Sequence, residues 1–223
     1  MRSPLQPPSL RVRLQRKKLG KKSANLAEMN NGRSRQSTVI ICPGIHDLQL
    51  TQEFLHGLQR TEISNLSNSW VDRILIFPAE NYPAYSAIHI LEFLQRHSQP
   101  IATPVIFISF SAGVVGAIGA AWGWQLLGGR VKAFLAFDGW GVPLYGNFPI
   151  HRLSHDYFTH WSSALLGAGE DNFYADPAVE HLDFWRSPDA CQGWWVHAAT
   201  VGNSEWRTFT TAAQFVTQLL QRY

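Results

Sequence analysis

Short apolar runs alternate with amphipathic stretches from residue 38 onward. The clearest runs are Thr38–Cys42 (TVIIC), Arg73–Phe77 (RILIF), Val105–Ser109 (VIFIS) and Val131–Phe137 (VKAFLAF). They are rich in β-branched and aromatic residues, and turn-forming residues follow them. Because the runs are almost continuously apolar, they are typical of strands that are buried on both faces of a parallel sheet.

Helical periodicity fills the intervals between these strands. One helix is expected to begin near Asp47. Three more are expected over Ser86–His97, Ser111–Leu127 and Thr208–Arg222. Two weaker strand candidates, Ile150–Ser154 and Asn172–Ala175, lie in the last third of the chain. This alternation predicts an α/β fold, a three-layer α/β/α sandwich with a mostly parallel sheet.

The third strand runs into its helix through Ser109-Phe110-Ser111-Ala112-Gly113. A serine at such a junction is typical of a nucleophile elbow, in which a tight turn exposes the hydroxyl and the next backbone N–H helps to bind an oxyanion. Gly113 suits the close approach of the two backbones, but Ser109 stands where the usual G-x-S-x-G pattern has its first glycine. If Ser109 keeps the turn from closing, Ser111 is a core residue without chemistry.

Four strand tips carry turn or polar residues. They are Gly44–Asp47, Phe77–Glu80, Ser111 and Asp138. Ligands of open parallel sheets bind at the carboxyl ends of the strands, so these tips are expected to surround one site.

These motifs, in this order, resemble a small single-domain bacterial α/β-hydrolase of the serine esterase type. Pro43–Asp47 (PGIHD) matches the family's oxyanion loop, Ser109–Gly113 its elbow, and His181 with Leu182 its terminal histidine. The resemblance covers Thr38–Tyr223, although the family's opening strand pair is missing. It implies a serine hydrolase that cleaves a carboxylic ester, thioester or amide through an acyl-enzyme.

The resemblance also implies that an acid and then a histidine follow the serine along the chain. His181 is the expected base, because it follows a turn after the last strand candidate; His155 or His160, or no catalytic histidine at all, are the alternatives. His151 and His197 are interpreted as strand or surface residues.

Two aspartates compete as the acid that orients the histidine. Asp156 follows the penultimate strand, where the family more often places it, and it is narrowly favoured. Asp138 ends the clearest strand of this half of the chain, as in lipase-type variants of the family. If Asp156 is not the acid, it is expected to be a helix N-cap. If Asp138 is not the acid, it is expected to be a turn residue before Gly139. The amide N–H groups of Ile45 and Ala112 are the expected oxyanion donors.

The first 37 residues differ in composition from the rest. They carry ten Lys and Arg against one acid, Glu28, whereas the remainder has a net charge of −6. We expect a disordered basic tail (1–37) ahead of one hydrolase domain (38–223). The tail is a candidate for weak contact with a membrane surface or another anionic partner, for a transit-like segment, or for a gene-start error if Met29 is the true start.

No cofactor or metal is expected, because the chain has no P-loop, no G-x-G-x-x-G after a strand and no metal-ligand spacing. The acidic folded part is not expected to bind nucleic acid. Only Cys42 and Cys191 are present, which suits a reduced cytoplasmic protein. Five tryptophans lie in the stretch that would form the rim of the site: Trp140, Trp161, Trp185, Trp194 and Trp195. They suggest an apolar acyl substrate if they do line the rim, and core packing otherwise.

Two other functions compete with hydrolysis. One is a catalytically inactive binding or scaffolding protein on the same fold, because fold does not determine function. The other is a membrane-tethered protein, because residues 105–127 hold no Asp, Glu, Lys or Arg and are long enough to cross a bilayer.

Overall fold

The computed structural model describes residues 37–61, 74–98, 100–167, 169–197 and 206–223. They belong to one compact unit, Ser37–Tyr223. The predicted basic tail covers residues 1–37. All of it except residue 37 lies outside the described part of the chain.

Eight strands and six helices make up the described residues. The strands are β1 (Thr38–Cys42), β2 (Ile74–Ile76), β3 (Val105–Phe110), β4 (Val131–Phe137), β5 (Ile150–Ser154), β6 (Asn172–Ala175), β7 (Gln192–Val196) and β8 (Arg207–Thr211). The helices are α1 (Leu48–Thr61), α2 (Ala87–His97), α3 (Ala112–Leu126), α4 (Tyr157–Ala164), α5 (His181–Arg186) and α6 (Ala212–Arg222).

All eight strands form one mixed sheet in the order β2-β1-β3-β4-β5-β6-β7-β8. Neighbours from β2 to β6 pair in parallel, whereas β7 and β8 are antiparallel additions at one edge. The carboxyl ends of β1, β3, β4, β5 and β6 therefore open at the same edge of the sheet. The prediction of a mostly parallel sheet is confirmed.

Helices cover both faces of this sheet. On one face, α1, α5 and α6 pack over alternate residues of β1, β3 and β4, such as Ile41, Ile108 and Leu135. On the other face, α2 and α3 pack over the intervening residues, such as Ile40 and Phe107. Since successive side chains of a strand point to opposite faces, both layers explain why these runs are continuously apolar. The three-layer α/β/α sandwich is confirmed.

The carboxyl-terminal part contains the main differences from the prediction. The last helix begins at Ala212 and not at Thr208, because Arg207–Thr211 pairs with β7 as strand β8. Thr211 ends the strand and caps the helix, with its hydroxyl accepting a hydrogen bond from the N–H of Gln214. Strand β7 and helix α4 were not predicted.

The alternative of a membrane-spanning segment over 105–127 does not agree with the structure. These residues form strand β3, a tight turn at Ser111 and helix α3 of 15 residues. No helix among the described residues has both the length and the apolar character that a bilayer span requires. The lack of charge in this stretch reflects the full burial of β3 and the packing of α3 on the sheet and on α2, although Val115, Trp122 and Leu126 are exposed.

Candidate active site

Ser111 lies in a strained turn between β3 and α3. Its φ of 53° and ψ of −122° fall outside the regions that side chains favour. Its N–H donates to the carbonyl of Phe137 at 2.9 Å, and its own carbonyl accepts from the N–H of Val114 at 3.0 Å. Strain of this kind persists only where surrounding contacts enforce it, and it frequently accompanies function.

The turn closes although serine occupies the place of the usual first glycine. Ser109 is fully buried in β3, where its hydroxyl donates a hydrogen bond to the carbonyl of Leu135 at 3.0 Å. The close approach falls instead on Gly113, where an added β carbon would lie 2.3 Å from the carbonyl oxygen of Cys42 and 2.4 Å from that of Pro43. Glycine is therefore required at position 113 but not at position 109.

His181 lies with its Nε2 3.2 Å from the Ser111 hydroxyl and its Nδ1 2.8 Å from Asp138 Oδ2. It is the first residue of α5, and its ring stacks on Phe110 with 4.7 Å between centroids. Phe110 in turn stacks on the buried ring of Trp185. This aromatic stack supports the imidazole from the core side, so that its two nitrogens are directed at the serine and the aspartate.

Asp138 is the carboxylate that contacts His181. It follows β4 with a left-handed φ of 48°, and its side chain is only 2% exposed. Burial by itself raises the pKa of Asp138, but the hydrogen bonds from His155 and His181 outweigh it and lower the pKa below its ordinary value. The group is thus ionised at neutral pH, as a carboxylate that stabilises an imidazolium must be.

Asp156, the favoured acid in the sequence, does not reach His181. It is the N-cap of α4, and its Oδ1 accepts a hydrogen bond from the N–H of Thr159 at 2.6 Å. Its other oxygen lies 3.7 Å from Nε2 of His155. The structure therefore brings Asp138, the alternative candidate, together with Ser111 and His181, and it gives Asp156 the capping role.

His155 is a further neighbour of the site that the sequence did not single out as a partner of Asp138. Its backbone N–H donates to Asp138 Oδ1 at 2.9 Å, and its Nδ1 lies 3.0 Å from Oδ2. His160, the other alternative base, lies one helical turn into α4 beside Tyr174. The signal that could have revealed this contact is the position of His155 directly after β5, the strand that neighbours β4.

The loop after β1 lies against the serine. A β carbon added at Gly44 would be 3.1 Å from the β carbon of Ser111. Among the hydrogen bonds of the described residues, none uses the amide N–H of Ile45 or of Ala112. Ala112 is the first residue of α3, where backbone N–H groups have no partner within the helix. Both amides are thus available as donors beside Ser111.

A shallow cavity of about 360 Å³ opens over these residues. Besides Ser111, Asp138, His155 and His181, it is lined by Val115, Trp140, Val142 and Thr159. Of the five tryptophans considered for the rim, Trp140 borders this cavity and is 64% exposed, whereas Trp185 and Trp195 are core residues. The wall of the cavity is mainly apolar.

Asp138, His155 and His181 form the one group of three metal-ligand side chains found among the described residues. Their atoms already pair with one another, since both Nδ1 atoms lie 2.8 and 3.0 Å from the same oxygen. Tetrahedral zinc ligands about 2.0 Å from the ion stand roughly 3.3 Å apart. A metal would displace the protons that join these groups, so hydrogen bonding describes the arrangement better.

The two cysteines, His151 and His197 take no part in the contacts among Ser111, His181 and Asp138. Burial raises the pKa of the Cys42 thiol well above its ordinary range and that of Cys191 to about 11, so both thiols are protonated. His151 is buried in β5, and its Nδ1 lies 3.0 Å from the carbonyl of Asp171. Burial lowers the pKa of His151 to about 4, which keeps it neutral. His197 directly follows β7.

Arg152 holds the loops behind the cavity. Arg152 is buried, with 3% of its surface exposed. Its guanidinium donates hydrogen bonds to the carbonyls of Val142, Leu166 and Gly167. Arg152→Met is expected to lower the free energy of unfolding by about 2 kcal/mol, because three carbonyls lose a charged donor. A melting temperature lower by roughly 4–8 °C would report this change.

Arg96→Met is the matched control. Arg96 is exposed, and its one partner among the described ion pairs is Glu92 on the same helix, so its loss is expected to change stability by less than about 0.5 kcal/mol. If Arg152→Met were as stable as the wild type, the cost of burying the guanidinium would equal what its hydrogen bonds contribute.

No protein-family model matches the chain, and neither does any curated protein sequence.

Proposed function

We propose that this protein is a serine hydrolase of the α/β-hydrolase type, which cleaves a carboxylic ester, thioester or amide through an acyl-enzyme. The observation that carries the proposal is the continuous path of hydrogen bonds from Ser111 through His181 to Asp138 at the end of a strained strand-to-helix turn. The mixed sheet, with its parallel strands from β2 to β6, is compatible with this family.

The geometry supports one order of events. The Ser111 hydroxyl attacks the carbonyl carbon while His181 Nε2 accepts its proton, and Asp138 stabilises the imidazolium that results. The tetrahedral intermediate then collapses, and His181 returns the proton to the departing alcohol, thiol or amine. Water, activated by the same imidazole, hydrolyses the acyl-enzyme and restores the serine.

The negative oxygen of the intermediate needs two donors. Ala112 directly follows Ser111, and Ile45 directly follows Gly44, which lies against Ser111. The N–H groups of Ala112 and Ile45 have no partner among the described hydrogen bonds. Each such donor is worth about 10² to 10³ in rate in related chemistry.

The cavity favours an apolar acyl group. Val115, Trp140 and Val142 present aliphatic and aromatic surface beside Ser111, and the cavity is shallow and open. We therefore propose a small ester with an apolar acyl chain as the class of substrate.

A fluorophosphonate probe tests the proposal directly, because it phosphonylates only a serine that a neighbouring base activates. The wild type is expected to be labelled and Ser111→Ala is not. Ser162→Ala, which replaces a partly exposed serine on α4, is the control and should be labelled like the wild type.

Circular dichroism would establish that each variant is folded. Wild-type protein that is folded yet resists the probe would contradict the proposal and favour the inactive binding protein on the same fold. Labelling of Ser111→Ala would place the reactive serine elsewhere.

A further inference from the structure

One carboxylate in this site serves two imidazoles. Asp138 Oδ2 lies 2.8 Å from Nδ1 of His181 and 3.0 Å from Nδ1 of His155, and Oδ1 accepts the backbone N–H of His155 at 2.9 Å. Two of these three hydrogen bonds therefore come from His155. A Ser-His-Asp triad needs only the bond to one imidazole.

We propose that His155 is a positioning residue, which holds both oxygens of Asp138 so that Oδ2 stays directed at His181. The inference rests on the proposed function, since it assigns His155 a part in the same reaction. His155 acts through Asp138 and does not exchange a proton with the substrate.

Asp138 needs such a support because of its backbone. It sits at a left-handed φ directly after β4, where its N–H donates to the carbonyl of Leu153 at 2.8 Å. Among the described hydrogen bonds, none to the carboxylate comes from β4. The side chain is also 2% exposed, so each lost hydrogen bond leaves a buried acceptor without water to replace it.

His155 is itself held on both sides. Its N–H is bound by Asp138, and its carbonyl accepts the N–H of Val179 at 3.1 Å. The ring is thus placed by the strand tip of β5 and by the loop that leads to His181. Because Asp138 also binds His181, and Val179 lies two residues before His181 in the chain, the position of the ring is coupled to the position of His181.

The charges around His155 make this support sensitive to pH. The groups that face its ring are Asp138, Asp156 at 3.7 Å, Glu180, and the His181 ring with 6.0 Å between centroids. The pKa of His155 is raised above its ordinary value, first by the hydrogen bond to Asp138 and further by the charges of the three acids, against the opposing effect of partial burial.

A proton on His155 offsets part of the charge of Asp138. The imidazolium that forms on His181 during the reaction is then stabilised less, so the rate should fall as His155 takes up its proton. In the wild type, the rate should therefore fall further at acid pH than in a variant whose residue 155 carries no titrating group.

A pair of variants at position 155 tests the proposal, with p-nitrophenyl butyrate as the ester. His155→Ala removes the ring donor, and its kcat is expected to be about tenfold lower with KM unchanged, because the carboxylate is no longer aligned. His155→Asn keeps a donor near the position of Nδ1 without a titrating charge. It should recover most of kcat, and its rate should fall less steeply at acid pH than that of the wild type.

Thermal melting shows whether both variants are folded. Equal kcat values in the wild type and His155→Ala would overturn the proposal, and so would an equal loss in both variants. An acid limb of the same steepness in the wild type and His155→Asn would also count against it.

A second measurement separates this inference from the proposed function. If the wild type neither hydrolyses the ester nor takes the fluorophosphonate, the proposed function fails. Proton NMR of the His181 Nδ1–H still decides the positioning: the resonance should persist in His155→Asn and shift or broaden in His155→Ala. An unaltered resonance in folded His155→Ala would overturn the positioning role.

Discussion

Asp138→Asn is expected to lower kcat for p-nitrophenyl butyrate about 10⁴-fold. The asparagine amide would face the Nδ1 atoms of His155 and His181 with a donor where the carboxylate offers an acceptor. His181 would then adopt the wrong tautomer and present a proton, instead of a lone pair, to Ser111. The charge that stabilises the imidazolium would also be lost. The measurement is kcat at neutral pH, together with the rate of fluorophosphonate labelling.

Asp156→Asn is the matched control for this change. Asparagine caps a helix about as well as aspartate, so the bond to the N–H of Thr159 is expected to survive. Asp156 has no contact with His181 among the described hydrogen bonds and ion pairs, and kcat should stay within a fewfold of the wild type. A loss of about 10⁴-fold in Asp156→Asn, with Asp138→Asn active, would assign the acid to Asp156.

Gly113→Ala is expected to lower the free energy of unfolding by about 3 kcal/mol. The new methyl would lie 2.3 and 2.4 Å from the carbonyl oxygens of Cys42 and Pro43, and backbone atoms cannot move aside as a flexible side chain does. β1 and α3 would have to separate, which would also displace Ser111 and the loop of Ile45. For a chain of this size, the melting temperature should fall by roughly 6–12 °C.

Leu126→Ala, at the exposed end of the same helix, provides the comparison. Leu126 is 88% exposed, so its truncation should change stability by no more than about 0.5 kcal/mol. The variant should also keep the labelling rate of the wild type. A Gly113→Ala protein that melts with the wild type and is labelled at the same rate would mean that the elbow tolerates a side chain at this position.

The strands of the central sheet were predictable because their burial is local in origin. β1, β4, β5 and β6 have the bounds that the sequence indicated, and β3 is longer by one residue. A strand that is covered on both faces must be apolar at nearly every position, and that demand is visible without knowledge of the neighbours.

The carboxyl-terminal edge could not be predicted in the same way. β8 has exposed positions at Arg207, Thr208 and Phe209, and its identity depends on pairing with β7. From the sequence, Thr208–Thr211 reads equally well as the first turn of α6. Long-range hydrogen bonds decided between these structures, and they leave little trace in local periodicity.

The choice of the acid that contacts His181 also depended on long-range structure. Asp138 and Asp156 each follow a strand and precede a turn or helix, so residue type and spacing do not separate them. What separates them is the sheet order: β4 is the direct neighbour of β3, which carries Ser111, whereas β5 is one strand farther away. The contact between His155 and Asp138 depends on the same adjacency.

By itself, the sequence determined the layered fold, the strand tips, and the positions of Ser111 and His181, because buried strands and tight turns impose local demands on residue type. The tertiary structure decided that Asp138 meets His181, that Asp156 caps α4 and that His155 shares the carboxylate. These are relations between loops from different strands, and only the order and register of the sheet bring such loops together.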